Sequence, residues 1–203
     1  GKIYAVDSQT VEFKGSITGL TSPRYVHFVS TQKAYVSDLY AHHITVINPS
    51  TLEIKGRIDL SEHTSEQMVQ VGKHVFVSSW SFDEYLLVID TQTDKLVNKI
   101  KVPLQPKELE VDANNKIWVL SQGSTEGIAE DEVSPALSRI DPVTLTIEQI
   151  YRFETGDLPA GLEMNSTQDT LFFIHQDVYK MPVSSRYLPE SPFIASKNLF
   201  YSL

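Results

Sequence analysis

Three aromatic side chains lie in short polar stretches between apolar segments. Tyr40 is in SDLYAHH (37–43), and Trp80 and Phe82 are in SSWSFDE (78–84). Aromatic rings offer a large contact area with few rotatable bonds, so they can stack on a flat macrocycle or a sugar. The alternative is that they cover the ends of packed strands. Because Trp80 and Phe82 stand apart from continuous apolar runs, we take all three as candidate ligand contacts.

Three long polar side chains, Arg24, Gln67 and Lys107, stand near the start of successive alternating segments. Such residues could line a central funnel with hydrogen-bond donors for amides, phosphate or carboxylate. The alternative is that they are solvated residues at strand entries that compensate nearby Asp and Glu. Their similar placement in three consecutive segments favours the funnel.

The six histidines show no metal-binding spacing such as HExxH, so no metal site made by protein ligands alone is predicted. The adjacent His42 and His43 would point to opposite faces of a strand. One of the two could contact a ligand, and we include His42 among the candidates. The sequence contains no G-x-S-x-G elbow, no P-loop and no dinucleotide fingerprint, so no catalytic residue and no cofactor are predicted.

One segment, QGSTEGIAEDEVSPA (122–136), carries four carboxylates within seven residues. They could hold Ca²⁺, although the EF-hand spacing is absent. A solvated acidic loop is the favoured interpretation, and a docking edge for a partner is a further alternative. The four residues are Glu126, Glu130, Asp131 and Glu132.

Charge and composition restrict the possible partners. The net charge is −9, with 17 Lys plus Arg against 26 Asp plus Glu, which argues against nucleic acid as a partner. Cysteine is absent, which excludes disulfides, zinc-thiolate sites and a Cys nucleophile. No apolar run approaches the ~20 residues that a transmembrane helix requires.

A turn recurs along the chain as VDSQT, INPST, IDTQT and IDPVT. Its anchoring Asp7, Asn48, Asp90 and Asp141 are separated by 41, 42 and 51 residues. A period of about 42 residues with four strands per unit is typical of a β-propeller. We therefore predict an all-β propeller with about five blades represented. Both ends fall in the middle of a repeat, which favours a single domain over 1–203 that is incomplete at both ends.

Alternating and fully apolar segments predict the strands of each unit. In a propeller, the loops from second to third strand and the loops entering the innermost strand share one rim. Those loops contain every candidate residue named above, so we expect them to converge there. The predicted strands are 25–29, 33–37, 43–48, 52–58, 67–71, 74–79, 85–90, 95–101, 108–112, 116–121, 137–141, 145–151, 162–165, 170–174 and 178–183.

The [V/I]-[D/N]-x-x-T turn after an apolar strand resembles the YncE-like propellers, which are grouped with surface-layer propellers. TGLTSPRYVHF (18–28), SEQMVQVGKHVFVSSWS (65–81) and DTLFFIHQDVYKMPV (169–183) look like the seven-bladed surface proteins of gut Bacteroidetes. That resemblance implies a seven-bladed parent and an exported cell-surface lipoprotein. One branch captures corrinoids (vitamin B12 and relatives) and passes them to an outer-membrane transporter. If this chain belongs to that branch, His42 or His43 could contact the corrinoid cobalt.

The sequence thus favours a non-enzymatic binding protein that captures a small ligand at its loop-rich rim. An enzyme of the quinoprotein-dehydrogenase or lactonase kind remains an alternative, since Glu66, Glu108 and Glu163 stand at starts of inner strands. A protein- or glycan-interaction scaffold of the cell surface is the third possibility.

Overall fold

The computed structural model describes residues 1–124 and 133–195, and those residues form strands and turns without a helix. The strands assemble into five sheets, in which consecutive strands are hydrogen-bonded neighbours. Three sheets have four strands, one has two and one has three. Four-stranded meanders repeated along a chain are propeller blades, so the predicted all-β propeller fold is confirmed. No helix that could span a membrane occurs in the described ranges.

The predicted strands are confirmed with shifts of at most a few residues at their ends. Five sheets contain, in turn, β1 (Lys2–Val6) and β2 (Phe13–Thr18); β3 (Pro23–Ser30), β4 (Lys33–Asp38), β5 (His43–Asn48) and β6 (Glu53–Asp59); β7 (Met68–Val71), β8 (His74–Ser79), β9 (Tyr85–Asp90) and β10 (Lys95–Lys101); β11 (Pro106–Val111), β12 (Ile117–Ser121), β13 (Ala136–Asp141) and β14 (Thr146–Arg152); β15 (Ala160–Met164), β16 (Thr170–His175) and β17 (Asp177–Pro182).

In the three four-stranded sheets the second strands are buried on both faces, whereas the fourth strands are largely exposed. β4, β8 and β12 are almost continuously buried, and β6, β10 and β14 alternate or face solvent. A strand covered on both faces is apolar over most of its length, and an outer strand is apolar at about every second position. This difference accounts for the apolar strings in the sequence and for the polar strand that ends each repeat.

The chain divides into two compact units, Gly1–Ser81 with Leu87–Asn98 (unit 1) and Phe82–Leu86 with Lys99–Leu203 (unit 2). In unit 1, the β1–β2 hairpin packs on the following sheet through a buried cluster. Burial of such aliphatic side chains contributes about 1.5–3 kcal/mol each. The cluster consists of Ile17, Leu20, Ala34, Val36 and Ile47, with Ile3 and Leu52 against it.

The core of unit 2 is built around aromatic rings. Trp118 is fully buried and stacks on Tyr151 at 5.8 Å between ring centroids, and Phe153 meets Phe173 edge to face at 5.7 Å. Offset and edge-to-face pairs add to the energy of area burial. Leu120, Leu137, Leu162, Leu171, Met181 and Val183 complete the cluster.

The recurring turn has the same hydrogen bonds in all four copies. The Asp7 carboxylate accepts from the backbone N–H groups of Gln9 and Thr10 at 2.9 and 3.0 Å. Asn48, Asp90 and Asp141 each accept from the second and third residues after them in the same way. These bonds are the Asx-type bonds that the motif predicts.

The sequence does not predict the backbone conformation that closes this turn. The fourth residue after each anchor has a positive φ although none is glycine, at 60° for Val11, 59° for Leu52, 52° for Asp94 and 58° for Leu145. Left-handed backbone at a non-glycine residue is strained, most of all at a β-branched one. The backbone N–H groups of Val11, Asp94 and Leu145 each donate to the carbonyl oxygen of their anchor at 2.9 Å, and this bond closes the turn.

The fifth sheet gains a bridge beyond its third strand. The backbone N–H of Ile194 donates to Val178 O at 3.1 Å, and the N–H of Val178 donates to Ile194 O at the same distance. The segment around Ile194 therefore covers the outer edge of β17.

The predicted acidic loop residues Glu126, Glu130, Asp131 and Glu132 lie outside the described residues.

Candidate ligand-binding rim

The buried carboxylate of Asp38 joins loops at one end of unit 1. It accepts from the backbone N–H groups of Thr21 at 2.8 Å and Ser22 at 2.9 Å. The Asp38 N–H in turn donates to Ser65 Oγ at 3.0 Å. Three of the predicted rim loops, around residues 20–24, 37–43 and 61–67, therefore meet in unit 1.

Arg24, at the start of β3, is paired with Glu66, just before β7. The Nε of Arg24 donates to both carboxylate oxygens at 3.0 and 3.1 Å, and Nη2 donates to Oε1 at 2.7 Å. The Glu66 side chain is 0% exposed and that of Arg24 is 40% exposed. This hydrogen bonding raises the pKa of Arg24 further. A buried carboxylate thus fixes the orientation of a guanidinium that remains accessible from outside.

Tyr40 and Tyr25 lie within electrostatic range of this guanidinium. Both phenol groups are near enough to Arg24 to help raise its pKa electrostatically. Tyr40 is 71% exposed and Tyr25 is 39% exposed. Among residues 1–124 and 133–195, no acceptor receives a hydrogen bond from Nη1 of Arg24. The arrangement offers N–H donors of Arg24 within electrostatic range of two accessible aromatic rings, and we call Arg24, Tyr25, Tyr40 and Glu66 the unit 1 rim cluster.

The other candidate residues in unit 1 are His42, Trp80 and Gln67. His42 is exposed, and its Nδ1 lies 3.2 Å from the carbonyl oxygen of His63. Trp80 is half-buried, directly after β8. The strand register pairs Val26 with Val36 and Met68 with Val77, so Glu66 rather than Gln67 occupies the position of Arg24. Gln67 corresponds to Tyr25 instead, and its predicted equivalence to Arg24 is wrong by one residue.

Two candidates, Phe82 and Lys107, belong to unit 2. Phe82 is 66% exposed and has a φ of 62°, in a loop anchored by the Gln105 N–H donating to Asp83 O at 2.7 Å. Lys107 Nζ lies 3.8 Å from Glu108 Oε1, and Glu108 Oε2 accepts from the Leu162 N–H at 2.7 Å. Glu108 therefore ties β11 to β15.

A pair of acidic side chains faces across β11 and β15 in unit 2. Burial, and secondarily the charge of Glu163, raises the pKa of Glu110 from 4.5 to about 7. The charged form of Glu110 is therefore disfavoured in the folded state.

Among the described residues, no group of three or more His, Asp or Glu side chains is placed to hold a metal ion.

Glu110→Gln is expected to stabilise the protein at about pH 8 by about 1 kcal/mol and to change little at about pH 4. Between 4.5 and about 7 the folded state holds a proton on Glu110 that the unfolded state has lost. The free energy of unfolding contributed by this group therefore falls as the pH rises through that window. Urea unfolding at both pH values measures the difference.

Glu53→Gln is the matched control, because Lys55 lowers the pKa of that exposed carboxyl. It removes the same charge without relieving a buried one, so no gain at about pH 8 is expected. An equal gain from both variants would show that reduced net charge, and not the setting of Glu110, is responsible.

The repeated four-stranded sheets define a protein of the β-propeller class, with a polar and aromatic rim cluster in unit 1. Residues 1–199 match the model of the family described as Domain of unknown function (DUF5074), so the chain belongs to this family. The sequence matches no curated protein.

Among solved structures, the chain is similar to Kuenenia stuttgartiensis hydrazine synthase. The TM-score is 0.73 at 12% identity, over 90% of this chain and 60% of that chain. The present chain thus spans 60% of the length of the matched chain. A likeness at this identity concerns the fold alone.

Proposed function

We propose that this chain is a non-enzymatic binding protein that captures a small ligand at the unit 1 rim cluster. The observation that supports it is an accessible guanidinium held by a buried carboxylate, with two exposed tyrosines within electrostatic range. Because Glu66 already fixes Arg24, a ligand would not have to order that side chain. Such preorganisation favours affinity.

The chemistry of the rim cluster suits a ligand that has acceptor groups around a flat body. Arg24 can donate from Nη1 to amide, phosphate or carboxylate oxygens, and Tyr40 and Tyr25 offer ring faces for stacking. A corrinoid combines a flat macrocycle with amide side chains and is our proposed ligand. The resemblance of residues 18–28, 65–81 and 169–183 to the seven-bladed surface propellers of gut Bacteroidetes, one branch of which captures corrinoids, supports this choice.

The same proposal includes the setting of the protein. An exported lipoprotein on the cell surface, of the YncE-like surface-layer kind, would capture the corrinoid and deliver it to an outer-membrane transporter. Trp80 and His42, both in unit 1, are proposed as further contacts.

Titration calorimetry with cyanocobalamin tests the proposal directly. We expect one-to-one binding that is weakened at least about tenfold by Tyr40→Ala and by Trp80→Ala. Tyr187→Ala is the control, because Tyr187 is 80% exposed and belongs to unit 2, outside the cluster. All three variants should keep the β-rich circular dichroism of the parent, since Tyr40 and Tyr187 are exposed and Trp80 lies in the loop after β8.

The outcomes separate the alternatives. Binding that Tyr40→Ala and Trp80→Ala leave unchanged would move the site away from unit 1. A folded protein that does not bind cyanocobalamin would remove the corrinoid. In that case a protein or glycan partner, as expected of a surface scaffold, becomes the next hypothesis to test.

A further inference from the structure

A groove with a volume of about 360 Å³ opens in unit 2, and none of its lining residues belongs to the unit 1 rim cluster. Residues 102–104, directly after β10, and three side chains of β14 form most of its lining. A volume of this size accommodates a small organic molecule. The lining residues are Glu84, Lys101, Val102, Pro103, Leu104, Val133, Ile147, Ile150 and Arg152.

The side chains of Ile150 and Arg152 lie on the same face of β14, because residues two apart in a strand share a face. The alternate residues Gln149 and Tyr151 face the other way, where they donate hydrogen bonds to carbonyl oxygens of the segment after β17. Ile150 and Arg152 therefore both point into the groove.

The apolar side chains of the groove are aliphatic and accessible. Ile150 is 38% exposed, and Pro103, Leu104, Val133 and Ile147 are half-buried. A ligand with a hydrocarbon chain would remove part of this apolar surface from water, which favours binding.

The segment after β10 is held in place by backbone hydrogen bonds. The N–H of Val102 donates to Glu84 O at 2.8 Å, and the N–H of Gly123 donates to Leu104 O at 3.0 Å. This side of the groove is therefore formed before a ligand arrives, and a ligand does not have to order it.

Arg152 supplies a positive charge that no neighbouring carboxylate neutralises. Its side chain is exposed, and within residues 1–124 and 133–195 its guanidinium makes no hydrogen bond or ion pair. The other cation is paired, because Lys101 Nζ lies 2.7 Å from Glu84 Oε1, and hydrogen bonding with this carboxylate raises the pKa of Lys101. The groove therefore carries one net positive charge, although the chain as a whole carries −9.

From these features we propose that the unit 2 groove binds an aliphatic carboxylate. A guanidinium can donate two parallel hydrogen bonds to a carboxylate, so Arg152 holds the head group. The hydrocarbon chain lies against Ile150 and Ile147. An alkylammonium ion of the same length would be repelled by Arg152, and an alcohol would lack the charge.

Hexanoate, hexan-1-ol and hexylammonium separate the charge from the chain. Each is titrated into the full chain at about pH 7 and constant ionic strength, where the carboxylate is ionised, while NMR follows the methyl signals of Ile147 and Ile150. We expect hexanoate to shift both signals saturably, with an affinity about fivefold above that of hexan-1-ol and further above that of hexylammonium. The methyl signals of Ile54, which is 41% exposed in unit 1, should not move.

The length of the hydrocarbon chain tests the aliphatic lining. Full burial of each methylene added between butanoate and hexanoate would raise the affinity about fourfold. Because the groove is open to solvent, we expect about half of that energy, which corresponds to about twofold per methylene.

Two variants and one control complete the experiment. Arg152→Gln should weaken hexanoate about fivefold and leave hexan-1-ol unchanged. Arg57→Gln is the matched control and should change neither, because Arg57 is also an exposed arginine of a fourth strand, β6 in unit 1. Ile150→Thr keeps a β-branched side chain on the strand and should weaken hexanoate and hexan-1-ol alike, by about threefold.

Four results would each overturn the proposal. Equal affinities for hexanoate and hexan-1-ol would make the groove a neutral apolar surface, and equal affinities for butanoate and hexanoate would leave only an ion pair. Equal weakening by Arg57→Gln and Arg152→Gln would attribute the effect to net charge. Methyl signals of Ile147 and Ile150 that do not move with about 100 mM hexanoate would exclude the site altogether.

Discussion

Arg24→Ala is expected to lower the free energy of unfolding by about 3 kcal/mol. The reason is the fully buried carboxylate of Glu66, which would lose the three hydrogen bonds that Arg24 donates to it. Loss of one partner of a buried pair is costly because the remaining charge is uncompensated. Because Arg24 is 40% exposed, its truncation would let water approach the carboxylate, which places the effect at the lower end of the usual range. Urea unfolding measures it.

Two comparisons show whether burial is the cause. Lys14→Ala removes a cation that lies 3.6 Å from Asp7 but is 52% exposed, so less than about 1 kcal/mol is expected. The double variant Arg24→Met with Glu66→Leu replaces both charges by apolar groups and should recover to within about 1 kcal/mol of the parent. A loss in Arg24→Ala no greater than that in Lys14→Ala would contradict a structural role for the pair.

Trp118→Ala should have the largest effect of any single substitution considered, about 4 kcal/mol. Trp118 is 0% exposed, stacks on Tyr151 and donates from Nε1 to Asp112 Oδ2 at 3.0 Å. Truncation would leave a cavity in the core of unit 2 and would remove a donor from the buried Asp112. The midpoint of urea unfolding, followed by circular dichroism, measures the loss.

Trp118→Phe separates packing from hydrogen bonding. It keeps an aromatic ring beside Tyr151 but lacks the N–H, so a loss of about 1–2 kcal/mol is expected. Tyr187→Ala removes a ring that is 80% exposed and should change stability by less than about 0.5 kcal/mol. If Trp118→Phe proves as destabilising as Trp118→Ala, the bond to Asp112 would dominate over the packed ring.

The fold could be predicted from sequence because its determinants are local and repeated. The alternation of YVHFV, the apolar string LLVI and the Asx-type bonds of Asp90 or Asp141 each act within a few residues. The left-handed residue after each turn was not predicted, because Leu52 or Val11 disfavours that conformation intrinsically. The hydrogen bonds that close the turn, which only the three-dimensional structure shows, explain this left-handed conformation.

The rim cluster was predicted only in part, since its energetics depend on contacts between repeats. Arg24 was identified as a donor, but its buried partner was not. The one available signal is that Glu66 follows Arg24 by 42 residues, one repeat period, and carries the opposite charge. His175 illustrates the limit more clearly, because neither its spacing from Phe153 nor that from Tyr179 indicates that the three rings meet.

The recurring turn also affects how such a chain can grow during evolution. In each copy the side chain of Asp7, Asn48, Asp90 or Asp141 bonds to backbone of its own turn, two and three residues away. A duplicated repeat therefore carries this stabilising device with it and needs no matching change elsewhere in the chain. Cross-repeat pairs such as Arg24 with Glu66 do need a complementary neighbour. Gene duplication can thus add repeats readily, while the later divergence of the inner strands distinguishes one repeat from the next.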